Sequence, residues 1–196
     1  MLQKNSAFAG VPGPVVVIVM DGYGIPKHTV GSAIEAARKP TLDRLFARYP
    51  NITLRAHGTA VGMPSDDDMG NSEVGHNAIG AGQVYAQGAA LVANAIAEGT
   101  IWQGQAWQEV VAAAKTGALH FIGLFSDGNV HSHIDHLKAM VVQAKAEGVK
   151  TVRIHALLDG RDVPETSALE YVVPFEAFLG EISTDGFDAR IASGGG

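Results

Sequence analysis

The chain has no cysteine among its 196 residues, which excludes disulfide bonds and thiolate metal sites. Basic residues are few: 14 stand against 20 acidic ones, and no basic block could neutralise the phosphates of a polynucleotide. The apolar run at residues 15–20 is too short to cross a membrane. We therefore expect no nucleic-acid partner, no membrane association and a cytoplasmic location, with any metal held by oxygen or imidazole.

Charged residues are also scarce at 17%, whereas 46% of the residues are hydrophobic. This balance excludes a disordered chain and predicts a globular protein of one or two domains. Glycine, in contrast, is abundant, with 24 residues. Many of these glycines lie beside acidic or polar residues between periodic segments, and such clusters are typical of loops that form functional sites.

The second half of the chain alternates strand-like and helix-like patterns. The predicted strands are at 119–125, 152–158 and from about Arg190, and the predicted helices between them are at 134–147 and about 167–181. This alternation predicts an α/β fold with a mostly parallel sheet. Ligands of such folds gather outside the carboxyl ends of the strands.

The first half predicts a more mixed set of elements. These are a buried strand at 15–20, a helix from Pro40 that stops before Pro50, a second strand at 52–56, and helices at 89–98 and 107–115. Residues 58–82 are rich in Gly, Asp and Ser, which predicts a long functional loop.

Two residues of the first half are candidates for chemistry. Asp21 follows the predicted strand beside glycines, which suits a ligand position, although a turn aspartate that bonds its own backbone gives the same pattern. Ser72 lies in the segment 69–76, and its hydroxyl is a nucleophile only where a base or a metal lowers its pKa. Alternatively, Ser72 caps a helix that begins at Glu73. The two interpretations are compatible, because a helix N-terminus favours phosphate.

Two loops of the second half carry further candidates. His131 and His133 lie in the loop after the first strand, where a His/Asp cluster with His136 suits a metal, but single histidines are more often surface or core residues. Arg161 and Asp162 lie in the next strand-end loop. A guanidinium fork grips carboxylate or phosphate and a carboxylate relays protons, although the two residues could equally be a solvated ion pair.

Four motifs follow one another along the chain: DGYG at 21–24, GNSEVGH at 70–76, DGNVHSH at 127–133 and DGRD at 159–162. In this order they resemble the motifs of the cofactor-independent phosphoglycerate mutases of the metal-dependent alkaline phosphatase superfamily. The resemblance implies an α/β fold of three-layer sandwiches with mostly parallel sheets. Residues 1–84 would be the first segment of a phosphatase-like domain, and residues 85–196 the first part of an inserted phosphotransferase domain.

The resemblance also implies a role for each candidate. Asp21 and Ser72 would ligate one of two Mn²⁺ ions, or other divalent metals, and Ser72 would become phosphoserine. His131 would sit beside phosphoglycerate, Arg161 would hold its anionic groups and Asp162 would handle its hydroxyl protons. The implied reaction interconverts 3-phosphoglycerate and 2-phosphoglycerate in glycolysis and gluconeogenesis, without bisphosphoglycerate.

Members of that family are much longer, and the segment that would bring the remaining metal and substrate ligands is missing here. Two ligands are too few for manganese, which takes about six donors. We therefore expect a partial mutase that is inactive alone and needs the missing C-terminal half. The alternatives are a metal-dependent phosphatase or phosphodiesterase of the same superfamily, and a catalytically inactive fragment that binds a full-length subunit.

Overall fold

The computed structural model describes residue 3 and residues 5–196, and it divides the chain into two compact units, Met1–Thr53 and Leu54–Gly196. The helices and strands of the described part are α1 (Ala33–Ala36), α2 (Pro40–Arg48), α3 (Ser72–Ala81), α4 (Gly88–Ala97), α5 (Gln105–Ala114), β1 (Leu119–Phe125), α6 (Ile134–Ala146), β2 (Thr151–Leu158), α7 (Ala168–Ile182) and β3 (Asp188–Gly195). Two 3₁₀ helices cover Gly58–Val61 and Thr100–Gln103. None of these described helices has the length and apolar character that crossing a membrane requires.

The first unit contains the helices α1 and α2. Ser32 caps α1, because its hydroxyl accepts a hydrogen bond from the Glu35 N–H at 3.3 Å. Helix α2 begins at Pro40 as predicted, since proline lacks only an N–H that the first helical turn would leave unpaired. It ends at Arg48, two residues before Pro50.

The predicted strands at 15–20 and 52–56 are wrong, because neither segment forms a strand. Every side chain from Val15 to Met20 is exposed, with 46% to 79% of its surface accessible. A strand exists only where its backbone N–H and C=O groups pair with a neighbouring strand. The described residues place no strand beside either segment, so the sequence pattern alone does not produce one.

The second unit contains a parallel sheet in the order β1-β2-β3. Helix α6 links β1 to β2, and helix α7 links β2 to β3. The predicted α/β class with a parallel sheet is confirmed. The register irregularity between Ile154 and His155 shifts the pairing so that His155 lies opposite Ser193 of the neighbouring strand.

The main core lies on one face of this sheet. Val152, Ile154 and Ala156 alternate along β2 and are buried, together with residues of α5, α6 and α7. The Phe125 and Phe175 rings meet edge to face with centroids 4.9 Å apart. The β2 residues that alternate with Val152, Ile154 and Ala156 lie on the opposite face of the sheet and are more exposed.

A smaller core fixes the segment that leads to α3. Val61, Met63 and Val74 are buried together in it. The buried Gln87 side chain donates to the Val61 carbonyl at 3.1 Å, and its backbone N–H donates to the Gly62 carbonyl at 2.9 Å. A Cβ on Gly62 would lie 1.8 Å from the Tyr85 carbonyl oxygen, so only glycine fits there.

The loop predicted for residues 58–82 is wrong in its second half, where α3 covers Ser72–Ala81. These residues form a helix and not a loop because Asn71 caps the first turn and Val74 is buried in the smaller core. Gly82, with φ of 62°, ends the helix. The glycines at 75 and 80 weaken the helix pattern in the sequence without preventing the helix.

Candidate functional site

Ser72 is the first residue of α3. The residue that caps this helix is Asn71, whose side-chain Oδ1 accepts a hydrogen bond from the Val74 N–H at 2.9 Å. The alternative that Ser72 is the cap of a helix beginning at Glu73 is therefore wrong. Ser72 is exposed, and its hydroxyl makes no hydrogen bond within the described residues.

The position of Ser72 also has an electrostatic consequence. The first N–H groups of a helix lack partners within the helix, and the helix dipole places partial positive charge at this end. A phosphate on the first residue of a ten-residue helix is therefore stabilised. Ser72 has the exposure that a nucleophile needs and the location that a phosphoserine favours.

The loops after β1 and β2 lie against each other. A Cβ on Gly128 would lie 2.9 Å from the Asp162 Cβ and 3.0 Å from the Asp162 carbonyl oxygen, so the absence of a side chain at Gly128 permits this contact. The His131 Nε2 atom is 4.0 Å from the Asp162 Oδ2 atom. The structure therefore brings together two of the predicted site residues at the carboxyl ends of two adjacent parallel strands.

Asp159 holds the second of these loops in shape. Its Oδ1 atom accepts hydrogen bonds from the backbone N–H groups of Arg161 at 2.9 Å and Asp162 at 3.1 Å. Burial opposes the charged form of this carboxylate, but the N–H donors outweigh it and hold the pKa of Asp159 below its usual value. The Arg161 side chain is exposed and forms no ion pair within the described part of the chain.

The three histidines of the first loop and α6 do not form a metal site. His133 caps α6, because its Nδ1 atom accepts a hydrogen bond from the Asp135 N–H at 3.2 Å. Burial lowers the pKa of His136, and the neighbouring His133 lowers it further. Among the described residues no group of three or more His, Asp or Glu side chains could hold a metal ion. The alternative of a metal cluster at His131, His133 and His136 is therefore wrong.

Asp21 lies in the first compact unit, in an exposed turn closed by a hydrogen bond from the Tyr23 N–H to the Met20 carbonyl at 3.1 Å. Gly22 has φ of 78°, a conformation that glycine adopts without strain. Asp21 and Ser72 offer the oxygen ligands that Mn²⁺ prefers, but two donors do not complete its coordination. The described residues by themselves therefore do not fit a manganese ion.

Two hydrogen bonds at the site were not predicted from the sequence. The Asn129 side-chain amide donates to the Asp68 Oδ1 atom at 2.7 Å, and the Tyr171 hydroxyl donates to the Asp127 Oδ1 atom at 2.7 Å. One sequence signal was available for the first: asparagine tolerates the left-handed conformation that a DGN turn favours, and Asn129 has φ of 56°.

A cavity of about 440 Å³ adjoins the loop after β1. It is lined by residues of α4, β1 and α6 and by residues 129–133, including His131. A smaller cavity of about 140 Å³ lies between the start of α3 and the same loop, with Asn71 and Glu73 on one side and Asn129 on the other. The segment around Ser72 therefore borders the loop that carries His131.

Comparisons with known proteins identify the family to which this sequence is similar. Residues 92–196 match the family model described as BPG-independent PGAM N-terminus. A Leptospira interrogans protein named "Probable 2,3-bisphosphoglycerate-independent phosphoglycerate mutase" is 56% identical over 186 residues, covering 93% of this chain and 34% of that protein. The Zea mays 2,3-bisphosphoglycerate-independent phosphoglycerate mutase is 47% identical over 184 residues, covering 93% of this chain and 33% of that enzyme.

A solved structure is also similar. It is Leishmania mexicana phosphoglycerate mutase at low cobalt concentration, with a TM-score of 0.74 and 46% identity, covering 83% of this chain and 30% of that one. The chain spans about a third of the length of the curated relatives it matches.

Proposed function

The chain belongs to the BPG-independent PGAM N-terminus family, and on that basis we propose that it is the N-terminal part of an enzyme that interconverts 3-phosphoglycerate and 2-phosphoglycerate. The observation that carries the proposal is the position of Ser72, an exposed hydroxyl at the N-terminus of α3. Its segment borders the loop that carries His131. The relatives named as mutases of this type support the same reaction.

In the proposed first step the Ser72 oxygen attacks the phosphorus of phosphoglycerate. The bond from Ser72 Oγ to phosphorus forms while the bond from phosphorus to the glycerate oxygen breaks. Ser72 loses its hydroxyl proton and the departing glycerate oxygen gains one, so phosphoserine and glycerate result. The N-terminus of α3 stabilises the phosphate while it is attached to Ser72.

The strand-end loops hold the glycerate between the two transfers. Asp162 relays the proton of the Ser72 hydroxyl to the departing oxygen in the first transfer. In the second transfer the neighbouring hydroxyl attacks the phosphoserine, and Asp162 relays its proton back to the Ser72 oxygen. His131, whose Nε2 atom lies 4.0 Å from the Asp162 carboxylate, lies beside the glycerate. The exposed Arg161 guanidinium holds the substrate's anionic groups with paired hydrogen bonds.

We also propose that Asp21 and Ser72 contribute two ligands to a divalent-metal site for Mn²⁺ that residues outside this chain complete. The solved Leishmania mexicana relative at low cobalt concentration supports a metal requirement in this family. In this proposal residues 1–84 belong to the metal-binding domain and residues 85–196 to the substrate-binding domain. Activity then requires the C-terminal part that the longer relatives contain, while no bisphosphoglycerate is needed.

A chimera tests this proposal: residues 1–196 joined to the C-terminal part of the Leptospira interrogans relative. With Mn²⁺ and no added bisphosphoglycerate, we expect it to convert 3-phosphoglycerate to 2-phosphoglycerate, and we expect the isolated chain to be inactive. The matched control is Ser72→Ala, which should abolish conversion while the chimera keeps its cooperative thermal transition. Net release of inorganic phosphate would instead identify a phosphatase, and conversion by Ser72→Ala would exclude the phosphoserine route.

A further inference from the structure

A side-chain hydrogen bond joins the segment before Ser72 to the loop after β1. The Asn129 Nδ2 atom donates to the Asp68 Oδ1 atom at 2.7 Å, and 61 positions of sequence separate the two residues. Both groups are partly buried. A short bond from an amide to a carboxylate in such a place is charge-assisted and holds its partners more firmly than a neutral pair.

Asn129 has an unusual backbone conformation for a residue with a side chain. Asn129 is the non-glycine residue with positive φ in the described part of the chain, at 56°. Glycine adopts that conformation at less cost than any residue with a Cβ. An asparagine there keeps the turn and adds an amide, and that amide bonds Asp68.

Asp68 is itself fixed within its own segment. Its Oδ2 atom accepts hydrogen bonds from the Ser65 N–H at 2.7 Å and the Ser65 hydroxyl at 2.8 Å, and its carbonyl accepts one from the Gly58 N–H at 3.1 Å. Burial opposes its charged form, but the bonds from Asn129 and Ser65 outweigh it and lower the pKa of Asp68. The carboxylate therefore stays ionised and in place, four positions before Ser72.

The other end of the contact is fixed to the second strand-end loop. Gly128, directly before Asn129, lies against Asp162, and His131 follows two positions later. Residues 128–131 thus connect the Asp68 segment on one side with the Asp162 loop on the other.

We propose that Asp68 and Asn129 are positioning residues whose hydrogen bond sets Ser72 against the loops of His131 and Asp162. This inference rests on the proposed mutase function. The bond acts through the residues that it positions. It keeps the Ser72 oxygen aligned with the glycerate oxygens during both phosphoryl transfers. Misplacement of reacting groups by about 1 Å costs on the order of 100-fold in rate.

The chimera described above provides the test, with variants chosen to separate position from stability. Asn129→Gly keeps the left-handed backbone and removes only the amide, and Asn129→Asp sets two carboxylates against each other. Asp68→Asn combined with Asn129→Asp restores one donor and one acceptor in exchanged places. The amide oxygen that Asp68→Asn introduces can still accept from the Ser65 N–H, so the exchange leaves the rest of the segment intact.

We expect Asn129→Gly and Asn129→Asp each to lower kcat at least tenfold with KM for 3-phosphoglycerate changed less than about threefold. The exchanged pair should recover most of the lost kcat. A loss of kcat at an unchanged thermal midpoint is the readout that a merely structural role would not give, and recovery in the exchanged pair assigns that loss to the hydrogen bond.

The outcomes separate the two proposals. An active chimera whose kcat stays within twofold in Asn129→Gly overturns the positioning role alone. A loss of kcat that the exchanged pair does not recover, or one that follows the thermal midpoint, also overturns it. A folded wild-type chimera without serine-dependent conversion overturns the mutase function itself, and the positioning role falls with it.

Discussion

Asn71 caps helix α3, and Ser72 is the residue that follows the cap. This relationship assigns helix capping to one residue and the nucleophilic hydroxyl to the next. The Asn71 side chain stabilises the helix by accepting the Val74 N–H, whereas the Ser72 hydroxyl makes no hydrogen bond within the described residues. Helix stability and nucleophilic chemistry at this site therefore depend on different side chains.

Substitution of the two residues should show this separation. Asn71→Ala should lower the free energy of unfolding by about 1 kcal/mol, because the Val74 N–H loses its acceptor. Ser72→Ala should change it by less than about 0.5 kcal/mol, since an exposed serine gives way to a good helix former. Urea denaturation of the chimera measures both, and its activity assay should show conversion lost only in Ser72→Ala. Comparable stability losses in the two variants would contradict the assignment of Asn71 as the cap.

Asp162 provides a test of proton transfer. Asp162→Asn keeps the shape of the side chain and its backbone bond to Asp159, but removes the carboxylate near His131. We expect kcat of the chimera to fall about 10²-fold to 10⁴-fold, the contribution of a general acid or base. A variant with unchanged kcat would remove Asp162 from the mechanism.

Arg161 should act through substrate binding. Its side chain is exposed while its backbone N–H bonds Asp159, so Arg161→Ala should leave stability almost unchanged. We expect KM for 3-phosphoglycerate to rise about 10-fold to 100-fold, with Arg161→Lys recovering only part because it lacks the planar fork. Arg190→Ala is the matched control, since Arg190 lies near the start of β3, at the end of the sheet opposite the site. An equal rise of KM in the control would indicate a general loss of positive charge.

Gly128 tests the contact between the two strand-end loops. Gly128→Ala places a Cβ about 2.9 Å from that of Asp162, so the loops must separate. We expect a loss of about 1–3 kcal/mol in the free energy of unfolding, together with reduced activity. Gly80→Ala in α3 is the control: nothing lies within 4 Å of its added Cβ, and it should stabilise by about 0.5–1 kcal/mol. A neutral Gly128→Ala would show that the loops are not in contact.

Tyr171 gives a prediction in alkaline solution. Its hydrogen bond to Asp127, with smaller effects of burial and of the Asp127 charge, raises the pKa of Tyr171 from 10.0 to about 12. Because folding favours the protonated phenol, the stabilisation is complete below about pH 10 and is lost as pH rises through about 12. We expect wild type to exceed Tyr171→Phe by about 1 kcal/mol or less at pH 9, and the difference to shrink by pH 11.5. A difference that is constant over this range would contradict the Tyr171–Asp127 bond.

The elements that the sequence predicts well are those whose partners are present in the described structure. The predicted strand at 119–125 coincides with β1, and the predicted helix at 134–147 differs from α6 by one residue. The apolar run at 15–20 and the alternating segment at 52–56 have the patterns of strands but no neighbouring strand in the described residues. The composition of a segment shows that it is suited to burial in a sheet. Whether it forms a strand depends on a neighbouring strand with which its backbone can pair.

The candidate site follows the same division. The meeting of the loops that carry His131 and Asp162 was predictable, because parallel strands bring their carboxyl ends to one edge. The left-handed turn at Asn129 had a sequence signal, but its bond to Asp68 was not predictable, because a polar pair 61 positions apart leaves no periodicity. The capping of α3 by Asn71 was missed because Asn71 and Ser72 are both good caps and only the backbone distinguishes them.

The order of the strands in the sheet has a consequence for synthesis on the ribosome. Each strand pairs with the one made immediately before it, from β1 to β2 to β3, and the helix between them is complete before the next strand emerges. No strand of this described sheet has to wait for a partner made much later or insert between two already paired. The second unit can therefore assemble in the direction of translation, one strand and one helix at a time.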